Sequence, residues 1–439
     1  MKRDKYLNQL IALKDDGMVK VITGIRRCGK SYLLNKIYKD YLISIGIPQE
    51  NIIYLDLEDT ENSYYWDPIY LNDYVISLAS KVDGKAYVFL DEIQHVFSIK
   101  NPALTDGKHV KPEKDDTDDL ITFVNTALGL AKKENIDLYI TGSNSKMLSS
   151  DIMTEFRDKG EEIHVSPLSF EEFLPSSGLD PQSAFSEYML HGGMPRAVLK
   201  KTGEEKEDYL KNLYELTYLK DIIEHNHLSR FSPIDEIGKV LASCVGQLIN
   251  GYSIAADFTR LKRKEISPLT VQNYIGLFRD SFLIEEAERY DIKGRKFIGA
   301  TKKYYFSDVG LRNALLNFNH DDDGQVMENI LYNELRYRGY KVDVGVVEIN
   351  EKNQLGNGIR KQYEVDFIAV KGGKKYYIQS AFHMASEEKK KQEKKSLSAI
   401  NDFNSRIIVV RDPIPPRRDE KGIVTIGVVE FLSQQTLDF

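Results

Sequence analysis

Residues 21–34 read VITGIRRCGKSYLL, which places a glycine, four residues and then Gly-Lys-Ser between two apolar runs. Upstream, residues 19–23 (VKVIT) have the composition of a short buried strand. Downstream, SYLLNKIYKDYLISIG carries apolar residues at helical spacing. The glycines Gly24 and Gly29 therefore lie between a strand and a helix, followed by Lys30 and Ser31. That context is the one a phosphate-cradling loop requires: backbone N–H groups close around phosphate oxygens, and the helix N-terminus adds a favourable dipole. Lys30 then reaches the outer phosphates, the Ser31 hydroxyl ligates Mg²⁺, and Tyr32 joins Gly24 and Gly29 among the nucleotide contacts.

Two further strand ends support this reading. In KAYVFLDEIQHV (85–96) an apolar strand closes on Asp91 and Glu92, as a Walker B strand does. Asp91 is placed to hold the magnesium shell and Glu92 to polarise an attacking water. A third strand, IDLYITGSNSKML (136–148), ends in Thr141, Gly142, Ser143 and Asn144. A polar side chain at that tip sits between the carboxylates and holds the water, a role assigned to Asn144; Ser143 or Asn144 also suits a helix N-cap, and both roles can hold together.

The chain has 439 residues, 41% hydrophobic and 29% charged, the composition of a soluble globular protein with more than one core. Cys28 and Cys244 lie far apart and outside any metal-ligand spacing, which suits a reducing compartment. No run of about eighteen apolar residues is present, so the expectation is a cytoplasmic protein with no membrane partner. A net charge of −7 excludes a globally basic nucleic-acid coat and leaves local patches open.

The three motifs, with EEIHVSPLSFEEFL (161–174) and YMLHGGMPRAV (188–198), resemble the bacterial and archaeal AAA+ ATP-binding proteins that carry a C-terminal domain of unknown function, over nearly the whole chain. The resemblance implies ATP and Mg²⁺ as cofactors. It also implies a basic residue near residue 157 that stabilises γ-phosphate charge in cis or on a neighbouring subunit. Arg157 and Lys159 match that position, with Arg26 and Arg27 as alternative cations. The GGMPR element (192–196) is similar to a Gly-x-Pro element whose proline packs on adenine, which assigns an apolar wall to Pro195 and a phosphate contact to Arg196; a helix-terminating turn is the competing reading. One departure is the polar stretch 98–119, longer than the family's usual connection.

Beyond residue 230, three amphipathic helices precede an alternating segment (284–308) folded around a Gly-containing turn, which together look like a winged helix-turn-helix. Ser253 is expected to cap the second helix. Lys262, Arg263, Lys264, Lys293, Arg295, Lys296, Lys302 and Lys303 cluster on the second helix and wing, a patch suited to DNA phosphates. Such folds also serve as protein–protein modules, so a protein partner or a homo-oligomer stands beside DNA. The order Glu328, Asp366, Gln379 resembles a restriction-endonuclease-like core, but Ala381 stands where active members carry a lysine, so a non-cleaving domain is expected. The run 385–400 (ASEEKKKQEKKSLSAI) suits an exposed helix that extends a basic face.

The fold expected is α/β: a P-loop NTPase domain with a mainly parallel sheet (1–175), a helical lid (176–230), a winged helix (231–312) and an inactive restriction-endonuclease-like α/β domain (313–439). The function expected is Mg²⁺-dependent ATP hydrolysis that switches interdomain packing and acts on DNA; the alternative is a signalling-type switch that grips protein partners or self-associates. Lys30, Glu92, Asn144 and Arg157 are the residues assigned to hydrolysis, and Ser31 and Asp91 to the metal.

Overall fold

The computed structural model describes residues 1–113, 119–142, 156, 159–226, 228, 233–262, 265–299, 301–319, 321–352, 358–384 and 387–439. They form two compact units, residues 1–166 with 280–282 and residues 167–279 with 283–439.

The first unit is built on five parallel strands: β1 (Val19–Thr23), β2 (Ile52–Asp56), β3 (Ala86–Asp91), β4 (Ile136–Thr141) and β5 (Gly160–His164), in the order β2-β3-β4-β1-β5. β1, β3 and β4 are buried along their whole length, as strands of a parallel sheet covered on both faces must be. The sheet and the helices Pro68–Ala79 and Phe123–Ala131 share one apolar core that includes Val21, Leu90, Leu71 and Ala127. Register decides what this core displays. Ile22 lies opposite Thr141, and Asp56 opposite Asp91, so the polar ends of four strands emerge together at the carboxyl edge. Open α/β sheets bind ligands at that edge.

The second unit begins with helices. Asp180 and Thr202 cap Pro181–His191 and Gly203–Leu213, each side chain accepting from the first-turn N–H groups. Asn250, rather than Ser253, precedes the helix Gly251–Lys262. The two exchange bonds, Ser253 N–H donating to Asn250 Oδ1 at 2.8 Å and Asn250 N–H to Ser253 Oγ at 3.1 Å. The segment 284–308 divides between two sheets. β6 (Ile284–Ala287) and β9 (Lys303–Phe306) form an antiparallel pair, while β7 (Arg289–Asp291) and β8 (Lys296–Phe297) form a hairpin that joins a larger sheet. That sheet continues through β10 (Lys341–Lys352), β11 (Gly358–Lys371), β12 (Lys374–Ala381), β13 (Ser405–Val410), β14 (Arg417–Arg418) and β15 (Ile423–Gly427), in the order β8-β7-β10-β11-β12-β13-β15-β14. The chain is thus mixed α/β, a parallel P-loop-type sheet followed by a second, C-terminal sheet.

Asp308 pins the helical part of this unit. Buried, it accepts from Gly193 N–H at 2.7 Å and from Leu311 N–H at 3.0 Å. Its neighbours leave no room for a side chain: a Cβ on Gly192 would stand 2.4 Å from Asp308 Oδ1, and one on Gly193 would stand 2.2 Å from the Leu168 carbonyl oxygen. The paired glycines of GGMPR therefore have a packing reason of their own. Burial pushes the Asp308 carboxyl from 3.8 up to about 6, against the backbone N–H donors that favour its charged form. Because the folded state then holds this proton more tightly than the unfolded chain, the associated stability is present below pH 4 and is lost as pH rises through about 6. Urea unfolding of the natural protein between pH 4 and 7 is expected to show that loss, on the order of 3 kcal/mol, and Asp308→Asn to flatten the slope whatever its absolute stability.

Candidate nucleotide site

The loop 24–31 adopts the geometry its glycines allow. Gly24 and Gly29 have φ of 136° and 104°, and Arg27 also lies in the left-handed region at 66°. A Cβ on Gly24 would stand 2.1 Å from the Val165 carbonyl oxygen, so only glycine lets the loop pass this segment. A continuous helix follows from Lys30, with a wide turn at Leu33–Tyr38.

Lys30 is 3% exposed, and its ammonium donates to the Gly24 and Ile25 carbonyl oxygens at 3.0 and 3.3 Å. Two other lysines among the described residues are as deeply buried, and both are neutralised. Lys20 pairs with Asp137 at 2.5 Å and Asp16 at 2.6 Å, and Lys303 with Glu364 at 2.5 Å and Glu328 at 2.9 Å. No described carboxylate pairs with Lys30. A buried cation without a counter-charge is costly, and an anion entering the loop removes that cost.

Asp91 lies at the neighbouring strand tip, buried and surrounded by donors. The Ser31 hydroxyl and Thr141 Oγ1 hydrogen-bond its carboxylate, and Tyr54 OH donates to Oδ2 at 2.8 Å. Burial pushes the Asp91 carboxyl upward; the Ser31, Thr141 and Tyr54 hydroxyls oppose the shift and the Glu92 charge adds to it. Ser31 and Asp91 together offer the hard oxygen donors that Mg²⁺ prefers, so the residues present fit a magnesium–nucleotide complex. Glu92, 7% exposed, is held at φ +54°, a strained backbone for a non-glycine residue and one common at functional sites. Its N–H donates to Thr141 Oγ1 at 3.1 Å, and its Oε2 accepts from Gln94 at 2.5 Å.

The strand-tip side chain between the two acids is thus Thr141. Asn144, Ser143 and Arg157 lie outside the described residues. Tyr32 is 49% exposed. Arg26 is engaged with Glu58 at 2.5 Å. Pro195 and Arg196 belong to the second unit, the proline at the first position of the short helix Pro195–Val198 and the arginine exposed. Tyr54 and Gln94 carried no motif signal, because their roles arise from strand register and a turn.

Residues 16–174 match the AAA domain family, and residues 182–322 match a domain of unknown function. An "Uncharacterized protein" of Haemophilus influenzae is 32% identical over 439 residues, covering 99% of both chains. The chain belongs to this AAA-domain family. A second "Uncharacterized protein", from Methanocaldococcus jannaschii, is 27% identical across 94% of the chain and 86% of its own length. Among solved structures, Aeropyrum pernix ORC1 in complex with DNA aligns at 11% identity and a TM-score of 0.31, covering 71% of this chain and 91% of that one. The N-terminal unit of this family member is an AAA ATPase domain, and no helix among the described residues is long and apolar enough to cross a membrane.

Of the C-terminal residues singled out in the sequence, Glu328 and Asp366 approach one another around a buried lysine, joined by Glu364; Gln379 is not among the Lys303 partners. Glu328, Glu364 and Asp366 converge on the buried Lys303 ammonium, with Tyr305 OH donating to Glu328 Oε1 at 2.7 Å. Lys303 comes from β9, not from the strand that ends in Ala381. It occupies the midst of the carboxylates.

Thr141→Val removes one donor to Asp91 and leaves Glu92 N–H unpaired, at a cost of about 1–3 kcal/mol. The variant is expected to hydrolyse ATP more slowly and to need more Mg²⁺ for half-maximal rate, because Asp91 loses a hydrogen bond that fixes its carboxylate. An unchanged rate and Mg²⁺ dependence in steady-state assays would remove Thr141 from the site.

Proposed function

We propose that the chain binds ATP with Mg²⁺ at the 24–31 loop and hydrolyses the β–γ phosphoanhydride. The observation that carries this reading is the buried, uncompensated Lys30 ammonium beside the Ser31–Asp91 pair. Lys30 pairs with the outer phosphates, and the loop N–H groups cradle them. Ser31 and Asp91 hold the magnesium, which neutralises phosphate charge when bound. Glu92, fixed by Thr141 and Gln94, takes a proton from the water that attacks the γ-phosphorus in line, and the bond to the ADP oxygen breaks. Asn144 and Arg157 remain the candidates for orienting the water and stabilising γ-phosphate charge. Nucleotide state switches interdomain packing in this reading.

DNA is the partner class the reading favours, through the β7–β8 turn. The basic patch there is smaller than the sequence suggests. Lys303 is buried, and Lys302 is neutralised by Glu286 at 2.7 Å and Glu288 at 3.2 Å. Arg263, Lys264 and the Lys262 side chain lie outside what the structure describes, which leaves Lys293, Arg295 and Lys296 as the described cations exposed at the turn. The C-terminal domain does not cleave DNA in this reading, because the Lys303 ammonium occupies the centre of the carboxylate cluster.

Lys30→Ala is expected to abolish adenine-nucleotide binding in titration calorimetry and to reduce turnover at least about a hundredfold; unchanged nucleotide affinity would refute the site. Incubation with plasmid and Mg²⁺ or Mn²⁺ is expected to leave the plasmid intact. Lys303→Met is expected to destabilise the fold by about 3–5 kcal/mol in denaturant unfolding, since three carboxylates lose their counter-charge.

A further inference from the structure

The helix Glu387–Ser398 packs on the C-terminal sheet, and its outer face borders a groove of about 850 Å³ closed on the other side by β14 and the turn 419–421. Lys391, Lys394, Lys395, Arg418 and Lys421 line it, against the acids Asp419 and Glu420. Two of these cations are paired, Lys394 with Asp419 at 2.8 Å and Lys395 with Glu351. Lys391, Arg418 and Lys421 are exposed; Arg418 donates to the Gly422 carbonyl at 3.3 Å and to a Phe439 main-chain oxygen at 2.5 Å, while Lys391 and Lys421 have no carboxylate partner among the described residues. Lys391, Lys394 and Lys395 fall at i, i+3 and i+4, so they share one helix face. In a chain of net charge −7, this is a local concentration of positive charge with a defined shape.

The lining says which polyanion fits. Unstacked single strands and RNA loops are held by aromatic faces on which bases stack. The ring bordering this region, Tyr363, is covered by the Lys361 and Lys395 ammoniums at 5.4 and 4.7 Å. A groove lined by five cations and two carboxylates, with no aromatic side chain in the lining, suits the regular phosphate array of a duplex, bound without base readout.

We propose that this groove is a contact surface for the phosphodiester backbone of duplex DNA. It goes beyond the contact at the β7–β8 turn and shares its partner, and it is independent of the ATP chemistry. The natural protein is expected to bind a mixed-sequence 30-base-pair duplex in fluorescence anisotropy, with affinity falling on the order of 10²–10³-fold between 50 and 200 mM salt. The triple variant Lys391→Glu/Arg418→Glu/Lys421→Glu changes only exposed positions. It is expected to retain its melting temperature and ATP binding, to bind DNA at least about tenfold more weakly at 50 mM salt, and to show a log–log salt slope reduced by roughly three.

The parallel variant Lys293→Glu/Arg295→Glu/Lys296→Glu separates the two surfaces. If it alone weakens binding, the turn is the contact and the groove proposal falls. Absence of duplex binding by the natural protein, an unchanged salt slope in the groove variant, tighter binding of duplex or single-stranded RNA, or equal displacement of DNA by polyglutamate would each overturn the assignment. Loss of nucleotide binding in Lys30→Ala with DNA binding retained leaves the groove supported, so the two readings fail separately.

Discussion

The first unit depends on a lysine buried without a counter-charge. Lys30 is shielded from solvent, yet its ammonium meets only two carbonyl oxygens of its own loop. The loop tolerates this because Gly24 and Gly29 let the main chain turn its polar groups inward, and because the helix that starts at Lys30 directs its free N–H groups the same way. In the proposed reading, the outer phosphates of ATP supply the counter-charge. The surrounding geometry serves those phosphates: the strand register delivers Asp91 and Thr141 to the same edge, and Ser31 bridges loop and strand tip through Asp91.

The other buried lysines show what a structural solution to the same problem looks like. Lys20 lies between Asp137 and Asp16, and Lys303 among Glu328, Glu364 and Asp366. Desolvating an ammonium is offset in both by carboxylates within hydrogen-bonding distance. The contrast separates ligand-binding charge from structural charge without reference to any motif. The C-terminal cluster follows the same pattern, its three acids held together by one protein cation.

How much of this was legible in the sequence varies with the range of the interaction. The parallel sheet, the loop and the carboxylates at the end of β3 are local patterns: apolar strand, glycine turn, helix, and acid at a strand terminus. Each can be read in a window of a dozen residues. Thr141 was visible as part of a polar strand tip, but its choice over its neighbours was not, because the bond to Asp91 depends on the β3–β4 register. Tyr54 is a surface-like residue in sequence and becomes an Asp91 partner only because β2 lies beside β3. The basic cluster misled in the opposite sense. Lys302 and Lys303 look like two more phosphate-binding cations in a lysine-rich stretch, but alternation along β9 turns Lys303 inward to three acids remote in sequence.

The sequence by itself determined the AAA-type domain, because a phosphate loop is built from consecutive residues whose backbone freedom is encoded by glycine and whose strand and helix flanks follow from apolar periodicity. Tertiary structure alone decided which charges are free. The Lys303 cluster, the Asp308 pin against Gly192 and Gly193, and the cationic groove beside the helix Glu387–Ser398 all join segments far apart in the chain. Ion pairing and burial depend on distance in space, and one-dimensional spacing carries no record of them until the strands are in register.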